Sequence, residues 1–211
     1  MLRGLSLAVR PGEILGLAGP SGSGKSVLLR SITGRVAAEG GRLQWRGADV
    51  DPSHRSLGQV TEVVFEESVG ATDLTVNEWM AYQAAARGIA TVAVGPALGA
   101  VGLRARGNEV VGELSSGFLE RLLLARTLLR APALVLVDHP LAHLDAAGEF
   151  ALQAWSRGLR DARAAVLWAS ADRGRLQAHC DRIAIISDGR VTKVLAPSGE
   201  EIDAALGEAL R

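Results

Sequence analysis

The sequence predicts an α/β fold: a mostly parallel sheet wrapped by helices, with an antiparallel β edge and a helical insert. Three observations carry this. An apolar strand runs into a Gly-rich loop and then a helix in "ILGLAGPSGSGKSVLLRSI", residues 14–32. Strand and helix patterns alternate again from residue 133 onward. Between them, the stretch 67–131 reads as helical. Parallel strands need long crossovers, usually helices, which is the pattern seen here. Such a sheet binds its ligand at the carboxyl ends of its strands.

The elements follow in order. "LRGLSLAVRPGEILGLAG" gives two short strands around a turn at Pro11-Gly12, and residues 41–50 alternate like a half-exposed strand. These early strands are expected to supply the antiparallel edge. Residues 59–65 form a buried strand, and 75–103 are alanine-rich and helical. Apolar residues at helical spacing mark 117–130, which stops at Pro132. Then come a strand at 133–137, a helix from 146 to about 160, and a strand at 164–170. A short helix at 173–179 and strands at 183–187 and 190–195 complete the pattern. The chain is expected to be one domain, 1–211, with its core in 1–66 and 132–211 and a helical subdomain in 67–131.

Bulk composition excludes several classes. Twenty-three basic residues balance 23 acidic ones, so net charge gives no reason to expect nucleic acid. A single cysteine, Cys180, cannot form an internal disulfide and fits a reducing compartment. No run reaches the roughly 18 apolar residues of a membrane span, and "MLRGLSLAVRPGE" has no apolar signal-peptide core. Trp45, Trp79, Trp155 and Trp168 are scattered and mostly suit the core or helix packing; Met80 is expected in the core, while Trp79 and Tyr82 are left open between core and exposed contact.

Gly19 to Ser26 reads G-x-x-x-x-G-K-S, a phosphate-binding loop between a strand and a helix. Gly19, Gly22 and Gly24 let successive backbone N–H groups turn inward onto phosphate oxygens, and the helix N-terminus adds partial positive charge. Lys25 suits the terminal phosphates, and the Ser26 hydroxyl suits Mg²⁺. A bland Gly/Ser turn does not account for Lys-Ser in this register. Gly19, Pro20, Ser21, Gly22, Ser23, Gly24, Lys25, Ser26 and Val27 are therefore the candidate ATP contacts. In "LVLVDHPLAHLD", 134–145, a buried strand delivers Asp138 to its end. A buried carboxylate is costly unless cations meet it, so Asp138 joins Ser26 as a candidate for the metal.

"GELSSGFLERLLLARTLLRAPALVLVDHPLAHLD", 112–145, resembles the signature and Walker B block of the ATP-binding cassette (ABC) ATPases. The resemblance covers nearly the whole chain: "GPSGSGKS" as Walker A, 63–79 as the Q-loop segment, and "LSSGF", 114–118, as the signature. "LAHLD" ending in Asp145 resembles the D-loop, and "VLWASAD", 166–172, the switch strand. It implies a P-loop NTPase fold with a RecA-like core, ATP and Mg²⁺ as cofactors, and two cassettes packed head to tail. Each ATP would lie between one Walker A and the other chain's signature, here Ser115, Ser116 and Gly117. Closure would drive a transmembrane transporter subunit, placing the chain in the cytoplasm on the inner face of the membrane. The segments 73–88 and 179–191 are most similar to the ABC-2 export branch.

Three departures cluster around the expected γ-phosphate. His139 stands where the family has the Glu that polarises water, Ala171 stands for the switch His, and Glu66 for the Q-loop Gln. A displaced base costs about 10²- to 10⁴-fold in rate. Glu66 offers carboxylate oxygen to a hard cation or repulsion to the phosphate. The resemblance also implies an adenine-stacking aromatic upstream of the first strand, which Met1-Leu2 falls too late to carry; either that stacking is missing or the start is assigned late. The expectation is a cassette that holds ATP, hydrolyses it poorly, and lends its signature to a second, catalytically complete cassette in a heterodimer. A homodimer, a non-transporting nucleotide-gated scaffold, and an active ATPase using His139 are the alternatives.

Overall fold

The computed structural model describes residues 2–51, 57, 60–65, 73–138, 141, 143–197, 202 and 204–205. Six strands form one sheet: β1 (Ile14–Ala18), β4 (Thr61–Phe65), β5 (Leu134–Asp138), β6 (Ala165–Ala169), β7 (Arg182–Ser187) and β8 (Arg190–Leu195). Their order is β4-β5-β6-β1-β7-β8. Every pairing is parallel except β7 with β8. Strands β1, β5 and β6, adjacent at the middle of the sheet, are buried at every residue, as continuous apolar runs covered on both faces require.

The antiparallel pairing departs from expectation. Residues 2–10 carry no strand, and 41–50 yield only a separate two-stranded ribbon, β2 (Gln44–Trp45) with β3 (Ala48–Asp49). Within the main sheet the antiparallel partner is β8, joined to β7 by a tight turn with Asp188 at φ 49 and Gly189 at φ 74. The cause is local: a two-residue turn of this geometry matches the twist of adjacent strands, whereas 41–50 is mostly exposed and has little apolar surface to bury.

One sheet face packs on α1 (Lys25–Ile32), with Leu29 and Ile32 against Leu17, Phe65 and Leu136. The other carries the helical insert and α5 (Ala146–Asp161) and α6 (Arg173–His179). The insert contains α2 (Val76–Ala85), α3 (Val94–Ala100) and α4 (Ser116–Thr127), with 3₁₀ turns at Thr91–Ala93, Arg104–Arg106 and Val111–Glu113. Thr75 opens α2 with a reciprocal capping box to Glu78, and Gly88 at φ 66 follows its end. The expected helical run 75–103 is thus two helices and a turn.

Trp79, Trp155, Trp168 and Met80 are all core, while Tyr82 is 62% exposed. Trp155 donates its indole N–H to Thr127 Oγ1 at 2.8 Å and meets Trp168 edge-on at 6.4 Å, binding α4, α5 and β6 together. At the sheet edge the buried Glu62 of β4 accepts from Arg87 Nε at 3.1 Å and ion-pairs with Arg130, whose Nε is also 3.1 Å away, tying the insert to the core at two points.

Candidate functional site

The loop 19–24 leaves the carboxyl end of β1 and is held from behind by the β7–β8 turn. Gly189 N–H donates to the Ser23 carbonyl at 3.0 Å. Gly19, at φ 152, passes so close to β7 that an added Cβ would lie 2.0 Å from the Ile186 carbonyl oxygen. Gly22 and Gly24 also hold positive φ, 78 and 108, and Gly24 is the N-cap of α1. Ser23 and Gly24 are buried, Pro20, Ser26 and Val27 half-buried, and Ser21 and Gly22 exposed.

Lys25 is only 4% exposed. Its ammonium donates to the carbonyls of Gly19 and Pro20, both at 2.9 Å, and to Ser23 Oγ at 3.2 Å. Burial pushes its pKa below the ordinary lysine range, partly offset by the Asp138 carboxylate. Ser26 donates its hydroxyl to Asp138 Oδ1 at 2.8 Å. A loop from one strand end and a carboxylate from another thus converge at the carboxyl edge of the sheet. Hydroxyl and carboxylate oxygens beside a phosphate-sized backbone cradle are the donor set of a hard cation with a polyphosphate. Ser26 and Asp138 fit Mg²⁺ in this way, and the loop with Lys25 fits the phosphates. The cation, when bound, would offset phosphate charge.

His139 and Glu66 lie outside the described residues. The residues before them, Asp138 and Phe65, are register partners on adjacent strands. Asp138 is in turn opposite Ala169 of β6. Beyond β6, Ser170 is buried and Ala171 is exposed; Asp172 caps α6 through Arg175 N–H at 3.0 Å. Ala171 offers only a methyl group where the switch position falls.

The signature residues are elsewhere. Ser115 and Ser116 are exposed at the start of α4, and Ser115, the N-cap, makes no side-chain cap bond. Gly117 faces the D-loop segment, with an added Cβ 2.7 Å from the His143 carbonyl oxygen. Asp145 caps α5 through Gly148 N–H at 2.7 Å. Sequence reasoning missed Glu120, which accepts from His143 N–H (3.0 and 3.2 Å) and contacts its ring Nδ1 at 2.9 Å. It also missed the β7–β8 turn as backing for the loop. A Glu one turn inside α4 was the only signal for the first; the second depends on strand order. Phe118, in the signature, lies under the Arg106 guanidinium at 3.8 Å.

A family model described as ABC transporter matches residues 2–142. The chain belongs to the ABC transporter family. Members of this family bind ATP, typically with Mg²⁺. A spermidine/putrescine import ATP-binding protein, PotA, of Acidothermus cellulolyticus is 35% identical over 92% of this chain and 51% of its own length. The PotA of Frankia alni is 33% identical over 92% and 42%, and the sulfate/thiosulfate import protein CysA of Nocardia farcinica 33% over 92% and 60%. The chain therefore spans about half the length of these curated relatives. The solved ATP binding subunit of an ABC transporter superposes with TM-score 0.80 at 22% identity, covering 98% of this chain and 87% of that one. A nucleotide-free ATP-binding cassette from an ABC transporter gives 0.84 at 19%, covering 100% and 92%. Both show the fold, that of a P-loop ABC ATPase. No helix among the described residues is long and apolar enough to cross a membrane.

Proposed function

We propose that this chain is the ATP-binding subunit of an ABC transporter, seated on the inner face of the membrane through a transmembrane partner. ATP closes it against a second cassette, and closure works the partner. The named relatives are import proteins, so the reading is of an importer-type cassette, in place of the export branch that 73–88 and 179–191 resemble.

The observation that carries the reading is the pairing of a complete phosphate and metal cradle with Ala171 at the switch position. Lys25, Ser26 and Asp138 converge, and nothing in Ala171 can hold a γ-phosphate or a proton. His139 and Glu66, where the family has its water-polarising Glu and its Gln, add to this in sequence. The chain's own site then binds Mg²⁺-ATP and turns it over slowly, while Ser115, Ser116 and Gly117 serve the ATP of a complete second cassette, in a heterodimer.

The test is ATP binding and hydrolysis by the purified chain with Mg²⁺, alone and with its membrane and cassette partners. Binding without turnover alone, and turnover in the complex, is the expected result. Turnover by the chain alone that disappears in His139→Ala would instead make His139 the base.

A further inference from the structure

The first two turns of α4 do more than present the signature. Glu120, one turn in, is 8% exposed, and both its oxygens are spent on one residue of the D-loop segment. It accepts the His143 backbone N–H and sits 2.9 Å from His143 Nδ1. One turn earlier, Gly117 lets the His143 carbonyl come within 2.7 Å of where a Cβ would be. The next residue, Arg121, donates to the Val101 and Gly102 carbonyls and fixes this part of α4 to the insert. Asp145 then caps α5. Two features of α4, Gly117 and Glu120, therefore meet residue 143 from its carbonyl and N–H sides. The far side of this contact is open: Ser115 and Ser116 are exposed, and the His143 side chain is 65% exposed.

We propose that Glu120 is a positioning residue which, through His143, holds the signature loop and the Asp145 segment as one rigid face for a neighbouring cassette's nucleotide. This rests on the reading above, in which the signature serves a second cassette. A carboxylate that accepts both a backbone N–H and the ring of the same residue fixes that residue's main chain and its side chain together. The two parts of the face then move as a unit with α4, and among the described residues no hydrogen bond or ion pair links Ser115–Gly117 or His143–Asp145 to the phosphate loop.

The experiment compares Glu120→Ala, Glu120→Gln and His143→Ala in the full chain. Hydrogen exchange over 143–148 reads the positioning itself and needs no partner. Losing a hydrogen bond to a charged acceptor speeds exchange there by about 10- to 100-fold in Glu120→Ala. Glu120→Gln keeps an acceptor oxygen for the N–H and recovers most of the protection. His143→Ala, which keeps the N–H, gives a smaller increase and carries the test with Glu120→Gln should Glu120→Ala not fold. ATP turnover by the complete complex is expected to fall about tenfold in Glu120→Ala and to recover in Glu120→Gln. ATP affinity of the isolated chain is expected to stay within about twofold, since the sites share no partner.

Unchanged exchange in these variants overturns the proposal. So does faster exchange with unchanged turnover while Ser115→Ala lowers turnover, because the signature would then work without being held. If neither Ser115→Ala nor Glu120→Ala affects turnover, the signature's role in trans fails and the positioning role falls with it.

Discussion

The phosphate loop and the signature loop each end at the first turn of a helix, and their states are opposite. At the phosphate loop Lys25 is buried with three oxygen partners, Ser26 holds Asp138, and β7 presses on Gly19. At the signature Ser115 is exposed without a side-chain cap bond, although Thr75, Asp145 and Asp172 all cap their own helices. One site is preorganised from within the chain; the other is backed by the Glu120–His143 contact and by Arg106 over Phe118. The difference teaches where each gets its energy. On the proposed reading, affinity at the first is set by this chain's packing, while the second makes its best interactions only when a second cassette supplies them.

The strongest way to break the contrast is Gly19→Ala. The residue needs φ 152 and would place its Cβ 2.0 Å from a backbone oxygen of β7, which cannot swing away. The expected cost is about 3 kcal/mol or more, a fall in Tm of roughly 6–12 °C, with loss of nucleotide binding. Calorimetry with and without ATP checks it. Native stability with full affinity would mean that the loop is not clamped by the sheet.

Lys25→Ala separates binding from folding. It removes a charged donor from the cradle, and ATP affinity is expected to drop about 10- to 100-fold in a titration. Ser115→Ala is the matched change at the other loop and should leave that titration unaltered. Equal effects of the two would erase the distinction drawn here.

Gly117→Ala sharpens it further. Alanine gains about 1 kcal/mol of helix propensity over glycine. Against this, the new Cβ meets the His143 carbonyl at 2.7 Å. The contact should win, giving net destabilisation of about 1 kcal/mol and unchanged ATP affinity. A rise in Tm would show that α4 and the D-loop segment can slide apart freely.

Much of this was legible in the sequence, for reasons that differ by residue. Gly19, Lys25, Ser26 and Asp138 were readable because their chemistry requires fixed spacing and a strand end, both local. The buried strands β1, β5 and β6 announced themselves as unbroken apolar runs. Residues 41–50 alternate without enough apolar surface, so the pattern gave only β2 and β3. Strand order, which places β7 behind Gly19, is decided by packing between distant segments. The Glu120–His143 contact joins residues 23 apart on two elements, and no local periodicity encodes it.

The smallest expected effect is a pH dependence that distinguishes the two halves of the site by location. His179 is 5% exposed at the end of α6, with its ring 5.8 Å from that of Trp168. Burial holds its pKa below the ordinary value of 6.5; nearby Glu149 opposes this, while Arg160 and Arg175 reinforce it. The sign follows from linkage. As pH falls below about 6.5 the unfolded chain takes up a proton that the folded chain resists, so stability declines from there down through the folded pKa. Above that window the term vanishes. Tm measured from pH 7.5 to 5 should therefore fall more steeply in the native chain than in His179→Gln, whatever offset that substitution adds. Glu149 lies in the first turn of α5, the helix capped by Asp145, and ion-pairs with Arg175 at 2.8 Å. A charge appearing on His179 therefore acts on the segment behind the D-loop. Hydrogen exchange on acidification should rise first in α6 and α5, with α1 and the phosphate loop unaffected over the same range. Parallel slopes for the two proteins would show that His179 titrates alike folded and unfolded.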